Sequence, residues 1–100
     1  MITKIQYTKI SKILKNKKIL VSGGAGSVGR ILVKKLLAYP IDSIRVLDIN
    51  EHALFELEHE INDPRLRILL GSILDKDRIE LAGKNIDIIF HAAAIKNIEI

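Results

Sequence analysis

Cysteine is absent from these 100 residues, and so is tryptophan; two tyrosines and two phenylalanines are the whole aromatic complement. Without cysteine there is no disulfide framework, no thiolate metal site and no thiol nucleophile. The absence fits a reducing compartment, and a cytoplasmic location is the expectation. No apolar run approaches the ~20 residues of a membrane-spanning helix, and no signal-peptide apolar region is visible. Acids are missing from residues 1–18, which hold Lys4, Lys9, Lys12, Lys15, Lys17 and Lys18. That stretch carries +6 against a net +4, so the remainder is acidic by −2. The basic balance belongs to one end and has little aromatic interleaving, which argues against nucleic acid as a partner. Residues 1–16 read as a solvated lysine-rich leader, with an anionic membrane surface or partner as the alternative.

What is present is aliphatic. Hydrophobic residues make up 48% of the chain, enough for the modest core of one small domain. An Ile/Leu/Val core suits a parallel sheet covered on both faces. Residues 6–16 place Ile10, Ile13 and Leu14 on one face of a short amphipathic helix packed beside the domain. "KKILVS" (17–22) reads as a buried strand. "SVGRILVKKLLAYP" (27–40) carries Val28, Ile31, Leu32 and Leu36 at helical spacing, with Pro40 as the stop. Strands are expected at 43–49, 66–70 and 86–94. Helices are expected at 51–61, with Leu54, Leu57 and Ile61 inward, and at 75–83, with Gly83 closing the helix. "NDPR" (62–65) is a turn. This βαβαβαβ order behind a short N-terminal helix predicts an α/β fold, a doubly wound Rossmann-type parallel sheet ordered 3-2-1-4. Ligands of such sheets bind at the carboxyl ends of the strands, beside the switch between strands 1 and 4.

One loop carries the chemistry. "SGGAGSVGR" (22–30) follows a strand and opens a helix. Gly24, Gly26 and Gly29 make a G-x-G-x-x-G; Gly23, Gly26 and Gly29 make a G-x-x-G-x-x-G. Either spacing suits a pyrophosphate: one glycine turns tightly, one admits the anion to the backbone, and Gly29 lets helix and strand close up. Free N–H groups at the helix start then hold the charge. Asp48 ends the second strand, 19 residues after Gly29. A carboxylate there accepts from adenosine ribose hydroxyls and repels a 2′-phosphate, so NAD is expected ahead of NADP. The competing role for Asp48 is capping the next helix. Arg45 lies nearby but within the strand. His91 reads as hydrogen-bonded structure, and His52 and His59, lacking a third ligand, as surface.

"VSGGAGSVG" together with "HAAAIKNIEI" resembles the extended short-chain dehydrogenase/reductase superfamily. More narrowly, "EHALFELEHEINDPRLRILLGSILDKDRI" followed by "HAAAIKN" is similar to its polysaccharide-biosynthesis branch, the UDP-N-acetylglucosamine 4,6-dehydratases and capsular-polysaccharide proteins. The resemblance runs from about residue 17 to 100 and favours the Gly23-Gly26-Gly29 spacing, leaving Gly24 as a small loop residue. Ser22 stands where threonine is usual. The resemblance implies that Gly23, Gly26, Ser27, Val28 and Gly29 hold the pyrophosphate. Asp48 and Asn50 border the ribose, and Ser72 and Ile73 flank the adenine. Ala92, Ala93 and Ala94 make a floor of small side chains, and Lys96 reaches a phosphate or ribose hydroxyl. Ser72 departs from the usual acid, and its hydroxyl is the weaker acceptor.

The implied reaction removes a hydride at sugar C4, expels water across C5–C6 and returns the hydride to C6. It needs a tyrosine base with lysine four residues later. Here Ser11 follows Tyr7 and Ser43 follows Tyr39 at that spacing. The expectation is therefore an NAD-binding part (17–100) of a longer enzyme acting on a UDP-sugar, its catalytic residues beyond Ile100. Alone it should be inactive and, with an open sheet edge, prone to self-association. A nucleotide-sugar 4-epimerase and a non-catalytic NAD-sensing module are the alternatives.

Overall fold

The structure, a computed structural model, describes residues 3–92. In chain order its elements are α1 (Lys4–Leu14), β1 (Lys18–Ser22), α2 (Ser27–Leu36), β2 (Ser43–Asp48), α3 (Glu51–Ile61), β3 (Leu66–Leu70), α4 (Lys76–Ala82) and β4 (Ile88–His91). The strands pair in parallel in the order β3-β2-β1-β4, as the alternation of elements predicts.

β1 is the centre of the sheet, flanked by β2 and β4, and Ile19, Leu20, Val21 and Ser22 are fully buried. Its alternation divides the core. Ile19 and Val21 join Val33, Ile44, Val46, Leu54 and Leu57 on one face. Leu20 joins Leu47 and Ala82 on the other, under α4. The larger cluster anchors the side that carries α2 and α3, and so fixes where the glycine loop enters α2.

Three sequence expectations shift. α1 starts earlier than residue 6 because Thr3 and Gln6 form a reciprocal capping box. Its inward face is Tyr7, Ile10 and Leu14. Ile13, expected inward, is 64% exposed. Tyr7 sets this rotation by stacking on Tyr39 with ring centroids 5.0 Å apart and donating its hydroxyl to the Ala38 carbonyl at 2.9 Å. α2 ends at Leu36, short of Pro40, and turns Gly29, Val33 and Leu36 inward, leaving Val28 and Ile31 exposed. β4 ends at His91 rather than running to 94. Ala93, Ala94 and Lys96 lie outside the described residues.

Two arginines close helix C-termini from a distance. The "NDPR" turn works this way. Asn62 takes the left-handed conformation that ends α3 (φ 47°). Arg65, clamped by Asp63 at 2.9 Å, donates to the carbonyls of Leu37 and Tyr39 just past α2. Arg45 leaves the sheet on the opposite face and donates to the carbonyls of Ala82 and Lys84 at the end of α4. The cations meet the negative ends of the helix dipoles.

Candidate functional site

At the carboxyl ends of β1, β2 and β3 lies an open cleft of about 530 Å³. Gly23, Ala25 and Gly26 form one wall, Asp48, Ile49 and Asn50 the second, and Gly71, Ser72, Ile73 and Leu74 the third. Six of the residues singled out from sequence meet here: Gly23, Gly26, Asp48, Asn50, Ser72 and Ile73.

The glycine loop is shaped by steric demands that differ at each position. Gly23 has φ 71°, a left-handed turn where its own N–H donates to the Leu47 carbonyl at 2.7 Å. A Cβ on Gly29 would collide with the Gly23 carbonyl oxygen and the Gly24 Cα, so helix and loop touch backbone to backbone. A Cβ on Gly24 would stand 2.5 Å from Cγ1 of Val46. Gly24 is therefore more than the spare loop residue the sequence suggests: it lets the loop lie against β2. Gly26 is free of both constraints: its φ is −75° and the nearest neighbour for a Cβ is 3.6 Å away. The protein's own packing does not require glycine there, whereas the close approach of an anion would.

α1, α3 and α4 begin with side-chain caps from Thr3, Asn50 and Asp75. α2 begins at Gly26 with no side-chain cap. The N–H groups of Ser27, Val28 and Gly29 thus have no intrahelical acceptor. Ser27 and Val28 are exposed at this first turn, and Gly29 is buried behind it. An acceptor-rich anion complements such an end.

Asp48 faces this helix start. Its Oδ2 accepts the Ala25 N–H at 3.1 Å and its Oδ1 accepts the Asn50 N–H at 3.0 Å. It is not the cap of α3; Asn50 is, accepting from the Ala53 N–H at 3.0 Å. Each carboxylate oxygen keeps a further lone pair. Asp48 can therefore brace the glycine loop and still accept from a ligand hydroxyl. Ser72 accepts the Leu74 N–H at 3.0 Å, so its oxygen is partly committed to its own turn.

Arg30 escaped the sequence reading. Its guanidinium donates to the Ala25 carbonyl at 3.0 Å, the Ala53 carbonyl at 3.2 Å and Glu60 at 2.8 Å, tying the glycine loop to α3. Lys34 also pairs with Glu60. The two cations hold the Glu60 carboxyl below its ordinary range, the Lys34 hydrogen bond foremost. Arg30 and Arg45 are both committed to backbone carbonyls, and among the described residues no basic side chain lines the cleft. Ala25, Leu47, Ile49, Ala53, Gly71 and Leu74 also line it without having been foreseen; each depends on strand ends meeting in space. Ala92 packs into the main core instead of the cleft wall. His91 Nδ1 pairs with the buried Ser22 hydroxyl at 2.8 Å, the structural role expected of it. Among the described residues no cluster of potential ligands could hold a metal, and no helix is long and apolar enough to cross a membrane.

The 3-2-1-4 sheet, the uncapped glycine helix start and an acid closing the second strand define a Rossmann-type, dinucleotide-binding class of protein. Residues 19–100 match the polysaccharide biosynthesis protein family, and the chain belongs to that branch of the extended short-chain dehydrogenase/reductases. It is 51% identical over 92 residues to the uncharacterized membrane protein MJ1061 of Methanocaldococcus jannaschii, covering 92% of this chain and 28% of that one. It is 36% identical over 85 residues to a UDP-N-acetylglucosamine 4,6-dehydratase (inverting) of Campylobacter jejuni, covering 84% of this chain and 25% of that one. The fold superimposes with a TM-score of 0.64 on the Bordetella bronchiseptica enzyme WbmF, solved in complex with NAD+, at 29% identity over 79% of this chain and 23% of that one. The chain thus spans about a quarter of the length of the relatives it matches.

Proposed function

We propose that this chain supplies the NAD-binding part of a nucleotide-sugar 4,6-dehydratase acting on a UDP-N-acetylglucosamine-type substrate. One observation carries the reading: the uncapped start of α2 at Gly26 and the Asp48 carboxylate line one cleft, where a dinucleotide's pyrophosphate and ribose would each find a partner. The residues present fit that group. Gly26 has room that the chain's own packing leaves unused, and the N–H groups of the first turn need an acceptor. Ser27, Val28 and Gly29 would present those N–H groups to the pyrophosphate, and Asp48 with Asn50 would border the ribose. Ser72 and Ile73 would flank the adenine, the former through its hydroxyl. NAD is preferred over NADP because the cleft offers a carboxylate and, among the described residues, no cation to a 2′-phosphate. Bound there, NAD would supply a hydride acceptor; the chain's own residues bind and orient it.

The dehydratase is favoured over the epimerase by the 36% identity to the Campylobacter enzyme and by "NDPR" with "HAAAIK". Catalysis by these 100 residues is not expected. Tyr7 and Tyr39 stack on each other beside the N-terminal ends of the strands, away from the cleft. Titration with NADH tests the cofactor half of the reading, and incubation with NAD and UDP-N-acetylglucosamine tests the catalytic half. NADH fluorescence should rise and shift to the blue on binding, while the sugar nucleotide stays unchanged. Turnover of the sugar would contradict the assignment of catalysis elsewhere, and absence of any NADH signal would contradict the cofactor site.

A further inference from the structure

The outward face of α1 has no role in the cleft or in the core. Ile5, Lys9, Lys12 and Ile13 stand at i, i+4, i+7 and i+8, one continuous stripe. Ile5 is 70% exposed, Ile13 is 64% exposed, and both lysines are exposed. Lys4, Lys15 and Lys17 are exposed around them. Among the described residues none of these lysines pairs with a carboxylate. The opposite face packs on the domain through Ile10, Leu14 and the Tyr7–Tyr39 stack, so the helix is held in this rotation by the domain itself.

We propose that this stripe is a docking surface for an anionic lipid bilayer. The charge is complementary: six lysines and no acid within residues 1–18. The two isoleucines select the lipid over other polyanions. Nucleic acid would engage the lysines but leave the isoleucines in water, whereas a bilayer takes the amines at its phosphates and the isoleucines among its acyl chains. The geometry also suits the cleft. α1 leads directly into the start of β1 and rests on Tyr39, beyond the C-terminal end of α2. That is the N-terminal edge of the parallel sheet. The cleft opens at the carboxyl edge, so a chain docked through α1 presents its cleft to water.

Vesicle sedimentation of the 100-residue chain tests this. Vesicles of phosphatidylcholine with 30% phosphatidylglycerol should carry the protein down at low ionic strength, and pure phosphatidylcholine should not. Binding should weaken as salt rises. The K9E/K12E variant should lose about tenfold or more in partitioning, from the usual contribution of each surface lysine. I5S/I13S, which keeps every charge, should lose a similar ~tenfold through the apolar term. Both variants should melt with the parent, since all four positions are exposed. Equal sedimentation with neutral vesicles, no sedimentation at all, or loss in K9E/K12E with none in I5S/I13S would overturn the proposal. That last result would mark a general polyanion site such as one for nucleic acid. Concentration-dependent dimers abolished by I5S/I13S, without lipid binding, would overturn it in favour of a second copy of the chain.

Discussion

Gly26 and Gly29 share a motif but answer to different forces. Gly29 is fixed by the fold: any Cβ there meets backbone atoms that cannot move aside. Gly29→Ala should destabilise the domain by about 2 kcal/mol or more, in the range of overpacked cores, and lower the melting temperature. Gly26 is open, so Gly26→Ala should melt within a degree or two of the parent yet bind NAD at least tenfold more weakly. Thermal denaturation and NADH titration of the two variants separate these roles. Gly24 shows what a local pattern cannot reveal. Its requirement is set by Val46, 22 residues later and on β2, so the resemblance that favours Gly23, Gly26 and Gly29 left it without a purpose. Asp48 was legible as the acid after the second strand. Its second duty, accepting the Ala25 N–H, depends on where the loop folds back.

Among elements, Arg30 ties the glycine loop to α3 beside the cleft, while Arg65 and Arg45 close the C-termini of α2 and α4 away from it. Arg65 donates to two carbonyls past α2, so Arg65→Ala should cost about 2 kcal/mol, the usual worth of hydrogen bonds from a charged donor. In a domain this small that shift is roughly 10 °C in melting temperature. The pair with Asp63 also has a pH signature. Hydrogen bonds from the Arg65 side chain, then from its backbone N–H, hold the Asp63 carboxyl below its ordinary 3.8. The same contact raises Arg65. A depressed carboxyl contributes stability that is fully present above the unfolded value and fades as pH falls through the folded one. Acid denaturation curves should therefore show a loss below about pH 4 that is smaller in Asp63→Asn, which starts less stable at neutral pH. "NDPR" was readable as a turn. Its action on α2 was not, because the partners lie 26 and 28 residues away. Helix rotation was unreadable for the same kind of reason. Apolar spacing in α1 admits Ile10, Ile13 and Leu14 as a face, and only Tyr39, from the turn after α2, selects Tyr7, Ile10 and Leu14.

At the scale of the molecule, alternating strands and helices were enough to obtain the sheet order. Parallel strands joined by right-handed crossovers leave few arrangements, and the most buried strand had to be central. The cleft followed from that order, because the carboxyl ends of β1, β2 and β3 converge beside the glycine loop. What the sequence left open were the apolar parts of its rim, such as Ile49 and Leu74, which as isolated exposed residues carry no pattern. The central claim is that this cleft takes a dinucleotide at Asp48 and the start of α2. Isothermal titration of the chain with NAD and with NADP, repeated on Asp48→Asn, tests it most directly. The account predicts NAD bound at least tenfold more tightly than NADP, with that preference collapsing in Asp48→Asn. NADP bound as tightly as NAD by the parent chain, or a preference unchanged in the variant, would contradict it.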